Sequence, residues 1–198
     1  MTAFLLYLKH HLPFLWKLME ILNAILFQVR FERTLEIQAD ECLKAHTIDP
    51  YHFRRLLADD AVQLNHFLSL QNEDRLTFFK PHAFDKLTLT QLVRNPSFIM
   101  FGTFYGETLV GYFFLRCFWN RKCFVGRLID QAHEGRGIGR TMNAILYNTA
   151  WECGFECMTT VSKKNEFVMR SHSNNPAFQI VKELPNDYLL VKFIPPQQ

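Results

Sequence analysis

The chain opens on a long apolar run, FLLYLKHHLPFLWKLMEILNAILFQVRF from Phe4 to Phe31, broken by Lys9, His10, His11, Pro13, Lys17, Glu20 and Asn23. A membrane-spanning helix wants about 20 residues with few charges, and this stretch never offers them. A secretory signal would put its basic region first and end at a small-residue cleavage site, and neither is visible. From Pro13 onward the polar positions 13, 17, 20 and 28 recur near a helical period, so an amphipathic helix is predicted to start there, with proline in its first turn. Its apolar positions include Phe14, Trp16, Leu18 and Leu22. Three hosts suit such a helix: its own domain, a twin subunit in a homodimer, or a membrane surface. Glu20 and Asn23 interrupt the run and favour a protein host. Residues 29–46 read two ways: Val29, Phe31, Leu35 and Ile37 suggest a strand, whereas Leu35, Ala39 and Leu43 suit a helix.

From about Thr47 the pattern becomes regular. Tyr51 and Phe53 alternate with His52 and Arg54 as in a short strand. Asp59 and Asp60 open a helix with apolar positions Ala61, Leu64, Phe67 and Leu68, the acids standing at its positive end. A second helix carries Leu89, Leu92 and Val93. SFIMFGTF and ETLVGYFFLRCF then read as a hairpin around Tyr105-Gly106, and KCFVGRLID as a third strand. A glycine-rich loop leads into a helix from about Gly139 to Cys153, whose face of Met142, Ile145, Leu146, Thr149, Ala150 and Cys153 ends at Gly154. Strand CMTTVS, a short helix after Asn165 and two terminal strands around AFQIVKEL and DYLLVKFI complete the chain. The predicted order is β-α-α-β-β-β-α-β-α-β-β, a mixed sheet with helices on its faces.

Composition adds limits. A chain of 198 residues with 48% hydrophobic content fits one domain with an appendage. The division expected is an apolar extension over 1–46 and a folded domain over 47–198. A net charge of +3 without a dense Lys/Arg run disfavours nucleic acid as the main partner. The five cysteines, at 42, 117, 123, 153 and 157, form no CxxC pair and no zinc set, so no metal is expected. They read as reduced thiols of a cytoplasmic protein, membrane-associated only if the N-terminal helix lies on lipid.

Chemistry concentrates in HEGRGIGRTMNAIL, His133 to Leu146, where three of the chain's eight glycines alternate with other residues. The loop follows a strand and opens a helix, so unpaired N–H groups and the positive end of a helix dipole meet at one point, a seat for phosphate oxygens. Gly135, Gly137 and Gly139 let backbone approach a ligand, and Arg136 and Arg140 can add charge-assisted contacts. The spacing is neither the dinucleotide G-x-G-x-x-G nor a P-loop. A bare strand–turn–helix joint is the plainer alternative.

With FVGRLID before it, EGRGIGRTM resembles the acyl-CoA-binding core of the GNAT superfamily of N-acetyltransferases, and the resemblance runs from about Thr47 to Ile194. It implies a mixed, mostly antiparallel central sheet with helices on both faces, here with an apolar N-terminal helix added. It also implies acetyl-CoA as co-substrate. The family signature falls on Glu134, Gly135, Arg136, Gly137, Ile138 and Gly139, with Glu134 where the family carries Gln or Arg. It further implies that the fourth strand splays from the fifth, and that Leu128 and Ile129 offer backbone groups to the pantetheine arm. Asn165 matches an asparagine that contacts that arm. His172 stands where many members carry the tyrosine that protonates the leaving thiolate.

Amine attack on a thioester also needs a base. KCFVGRLI holds no acid where many relatives place one, which leaves Asp130, His133, Glu134, Glu73 and His82, with Asp130 favoured because it follows the splayed strand. The expected function is acetyl transfer to a primary amine of a small molecule or sugar; FFKPHAF loosely resembles acceptor-side loops of members that modify sugar amines. The alternative is a non-catalytic acyl-CoA-binding module that senses acyl-CoA or attaches to a membrane.

Overall fold

The computed structural model describes residues 12–173 and 175–196. Helix α1, Pro13–Ala45, is one continuous element of 33 residues, so the ambiguous segment 29–46 is helical. What decides it is tertiary: Phe27, Phe31, Leu35, Ala39 and Cys42 are all buried, a spacing of three and four that only a helix lines up on one face. Two of the polar residues that interrupt the apolar run, Glu20 and Asn23, lie against the protein itself. Asn23 donates through Nδ2 to Cys117 O at 3.1 Å and accepts from Trp119 N–H at 3.0 Å, and Glu20 pairs with Arg116 at 2.9 Å.

Seven strands form one sheet in the order β1-β2-β3-β4-β5-β7-β6. They are β1 Tyr51–Arg55, β2 Phe98–Tyr105, β3 Thr108–Cys117, β4 Lys122–Ile129, β5 Glu156–Ser162, β6 Phe178–Leu184 and β7 Tyr188–Phe193. Every neighbouring pair is antiparallel except β4 with β5. The hairpin between β2 and β3 turns one residue later than the pattern suggests: Tyr105 still pairs with Thr108, and Gly106 takes φ 57°, a left-handed turn position.

Helices cover both faces. Between β1 and β2 lie α2 Ala61–Ser69, the single turn α3 Glu73–Leu76 and α4 Lys86–Val93. Ala61, Leu64, Phe67, Leu68 and Leu89 bury against Met100, Tyr112, Phe114 and Leu128 on one side of the sheet. On the other side, α5 Ile138–Glu152 packs beside α1 over Phe101, Phe113, Leu115 and Val125. A sheet buried on both faces explains why β2 and β3 read as nearly continuous apolar runs. The last helix, α6 Glu166–Ser173, follows β5.

The cysteines are free. Cys117, Cys123 and Cys157 sit side by side across β3, β4 and β5, with registers Cys117↔Cys123 and Cys123↔Cys157. Burial pushes the Cys117 and Cys157 thiols up. Among the described residues no helix is long and apolar enough to cross a membrane, and no cluster of His, Cys, Asp or Glu could hold a metal ion.

Candidate functional site

Strands β4 and β5 run together for only three register pairs, Lys122↔Glu156, Cys123↔Cys157 and Phe124↔Met158. Beyond them the strands part, and the last tie is Thr159 Oγ1 donating to Val125 O at 3.0 Å. In an antiparallel pair alternate residues turn their backbone groups to the neighbour. Asp130 N–H bonds to Val110 O, so the backbone of Leu128 likewise faces β3, while Arg127 and Ile129 turn theirs into the gap. Of the two residues that sequence reasoning assigned to the pantetheine arm, Ile129 therefore lines the opening with its backbone. Leu128 buries its side chain on the α2 side.

The glycine loop stands at the mouth of this gap. Gly135 has φ 72° and Gly137, the residue before α5, has φ 85°; both conformations are open to glycine and strained for other residues. The N–H groups of Gly135, Arg136, Gly137, Ile138 and Gly139 make no hydrogen bond among the described residues; the first bonds of the helix are those of Arg140 and Thr141 to Gly137 O. Five successive free donors at the positive end of a 15-residue helix form a cradle for anionic oxygens.

Gly139 has a different reason from the one the loop alone suggests. A Cβ there would stand 2.7 Å from Arg127 Nη1 and 3.3 Å from Ile129 Cδ1, so this glycine faces β4 and makes room for an arginine. Arg127 is the residue that sequence reasoning missed. Its guanidinium is half-buried under the first turn of α5, donates from Nε to Asn143 Oδ1 at 2.8 Å, and has no carboxylate within ion-pair distance among the described residues. Burial pulls its pKa below the usual range. A cation at the positive end of a helix is unfavourable until an anion joins it. Its signal in the sequence is only a charged residue within an apolar strand.

The other arginines divide the work. Arg140 is exposed and makes no ion pair among the described residues. Arg136 is held back, donating to Tyr51 Oη at 3.2 Å and to Ala132 O at 3.0 Å, and Tyr51 Oη also bonds His133 Nδ1 at 3.0 Å. Glu134, the odd member of the motif, is neutralised by Arg75 of α3, whose Nη2 donates at 2.6 Å both to Glu134 Oε1 and to Ile129 O. No sequence pattern links positions 75 and 134.

Asp130 caps the 3-10 turn Gln131–His133, accepting from Ala132 N–H at 2.8 Å. It lines a recess of about 460 Å³ with Gln71, Asn72, Arg75 and Gln131. Asn165 caps α6, accepting from Val168 N–H at 3.2 Å, and so stands where β5 leaves the gap. His172 lies on α6, and its side chain is outside the described residues.

His82, between α3 and α4, is enclosed by Phe84, Phe98 and Phe114 and bonds Tyr112 Oη through Nε2 at 2.8 Å. Its Nδ1 lies 2.8 Å from Ala83 O, which only accepts, so Nδ1 carries the proton and the Tyr112 hydroxyl donates to Nε2. Burial lowers the His82 pKa and raises that of Tyr112.

No protein-family model and no curated protein matches the chain. Solved structures do. PaiA N-acetyltransferase from Thermoplasma acidophilum, in complex with coenzyme A, superposes with TM-score 0.60 at 17% identity, over 73% of this chain and 99% of that one. The ribosomal-protein-S5-alanine acetyltransferase of Vibrio fischeri gives TM-score 0.59 at 18% identity over 75% and 94%. The GNAT domain of S. lividans PAT gives 0.62 at 13% identity over 71% and 88%. At such identities the likeness defines the fold: this chain has the GNAT acetyltransferase fold, preceded by a long helix.

Proposed function

We propose that the protein transfers an acetyl group from acetyl-CoA to a primary amine. The observation that carries this reading is the run of five free N–H groups, Gly135 to Gly139, at the mouth of the gap between β4 and β5. The donor set fits the coenzyme: the pyrophosphate takes the N–H groups with Arg127 and Arg140, and the pantetheine arm passes Ile129 and Asn165. Coenzyme A in the Thermoplasma structure of the same fold supports this choice of ligand.

In the reaction the amine nitrogen forms a bond to the thioester carbon and the C–S bond breaks. The backbone N–H of Ile129 suits the developing oxyanion. Asp130, directly or through water, takes one proton from the ammonium before attack, the second leaves the nitrogen of the tetrahedral intermediate to water, and His172 gives one to the departing thiolate. The recess beside Asp130 has the volume of a small-molecule site and carries three carboxamides, from Gln71, Asn72 and Gln131, which favours a small polar amine or amino sugar as acceptor. A second reading, a protein amine, draws support from the Vibrio structure, a ribosomal-protein acetyltransferase.

Incubation with acetyl-CoA and a panel of small amines, amino sugars and peptide N-termini tests this by release of free thiol. Amine-dependent release is expected, greatest with a small amine. Binding of coenzyme A with no release for any amine would replace the enzyme by a non-catalytic acyl-CoA-binding module.

A further inference from the structure

Helix α1 has two apolar faces, and only one of them is covered among the described residues. From Phe14 to Val29, Leu15, Leu18, Leu22, Ile25 and Val29 repeat at intervals of three and four, the seam of a coiled coil. They remain 42% to 86% exposed. Phe14, Met19, Ile21 and Leu26 flank the seam and are exposed as well. At about 100° per residue the uncovered apolar arc spans roughly 160°, and no polar residue of positions 14–29 falls within it. Lys17, Glu20, Asn23 and Gln28 lie outside it. The next seam position is Glu32, and Arg33, Glu36 and Asp40 continue the same face. The apolar stripe thus has a sharp end.

We propose that this stripe is the contact between two copies of the chain, with the seam from Leu15 to Val29 of each packed on the other. The area fits. These exposures leave on the order of 900 Å² uncovered per chain, so two copies bury close to the roughly 1,600 Å² of a standard specific interface. The charges favour protein over lipid: Glu36 is paired with Arg55 at 2.9 Å, and Glu32 and Asp40 against Arg33 leave the continuation of the stripe net negative, which an anionic membrane surface would repel. The covered face is already satisfied, with Phe27 and Phe31 in the core and Asn23 bonded to the end of β3, so the outer stripe is free to serve a partner. This inference does not depend on the acetyl-transfer reading.

Light scattering on the full chain tests it, with Leu22→Glu and Ile25→Glu as seam variants. Val62→Glu, at an apolar position 55% exposed on α2, is the control. The parent and the control are expected at twice the chain mass and the seam variants at the single-chain mass, all with the same far-ultraviolet circular dichroism. A parent at the single-chain mass overturns the proposal, as does a mass above two copies or a seam variant that stays double. Flotation with vesicles of phosphatidylcholine and phosphatidylserine is the second arm. A single-chain parent that floats, and loses flotation with Leu22→Glu, would assign the stripe to membrane.

Discussion

Arg75 and Glu134 form an ion pair at 2.6 Å across the edge of the gap between β4 and β5, and the same guanidinium nitrogen holds Ile129 O. The pair removes a negative charge from beside the N–H groups of the loop, and it fixes the end of β4 beyond the point where the strand has parted from β5. Arg75→Met is expected to lower coenzyme A affinity about tenfold, or about 1.4 kcal/mol. Glu134→Gln in the same chain should restore most of it, because the repelling charge is then gone. A double-variant cycle by titration calorimetry measures the coupling, and equal losses in the single and double variants would show that Arg75 acts without Glu134.

Arg127 places function against stability. A cation under the positive end of α5 costs roughly 0.3–1 kcal/mol in the free protein, and in the proposed function the pyrophosphate is the anion that offsets it. Arg127→Gln keeps a donor for Asn143, so the free variant is expected to melt higher than the parent while binding coenzyme A at least several-fold more weakly. Its affinity should also fall less steeply with salt, since one phosphate contact is lost. Calorimetric melting and binding at two salt concentrations check both signs. A variant that melts lower and binds equally well would make Arg127 a packing residue.

His82 is expected to make the fold sensitive to acid. Burial holds its pKa below the value of about 6.5 in an unfolded chain, so below that pH the unfolded state binds the extra proton more readily. Stability associated with neutral His82 is complete above about pH 6.5 and is lost as pH falls towards the folded-state value. His82→Gln preserves an acceptor for the Tyr112 hydroxyl and should flatten this slope. Urea midpoints at pH 5.5 and 7.5, compared for parent and variant, test it; identical slopes would remove His82 as the cause.

The two proton-transfer assignments separate by readout. His172→Ala is expected to lower turnover by roughly 10²-fold, the range of general acid–base help, with coenzyme A affinity nearly unchanged. Asp130→Asn keeps an oxygen for the cap on Ala132 and should lower turnover while moving the rising limb of its pH profile. Undiminished turnover in either variant, with a good acceptor, takes that residue out of the reaction.

The sequence by itself determined much of this protein. Buried faces of α2 and α5 were legible because helical periodicity records which side meets a sheet, as with Leu64, Phe67 and Leu68 or Met142, Ile145 and Leu146. Gly135 and Gly137 marked in the sequence a place where backbone can approach a ligand, and the structure adds that both take left-handed φ, which few other residues adopt cheaply. Only tertiary structure decided the rest. Residues 29–46 could pair as a strand or bury as a helix until α5 and the sheet supplied a surface that accepts Phe31, Leu35 and Ala39 on one side. Glu20 and Asn23, which look in the sequence like breaks in an apolar helix, proved to be its anchors on β3. Gly139 proved to make room for Arg127, and Glu134 to be neutralised from position 75. Each of these depends on a contact between residues distant along the chain. Local periodicity carries no record of such a contact, because the energy that fixes it arises only when the two elements meet.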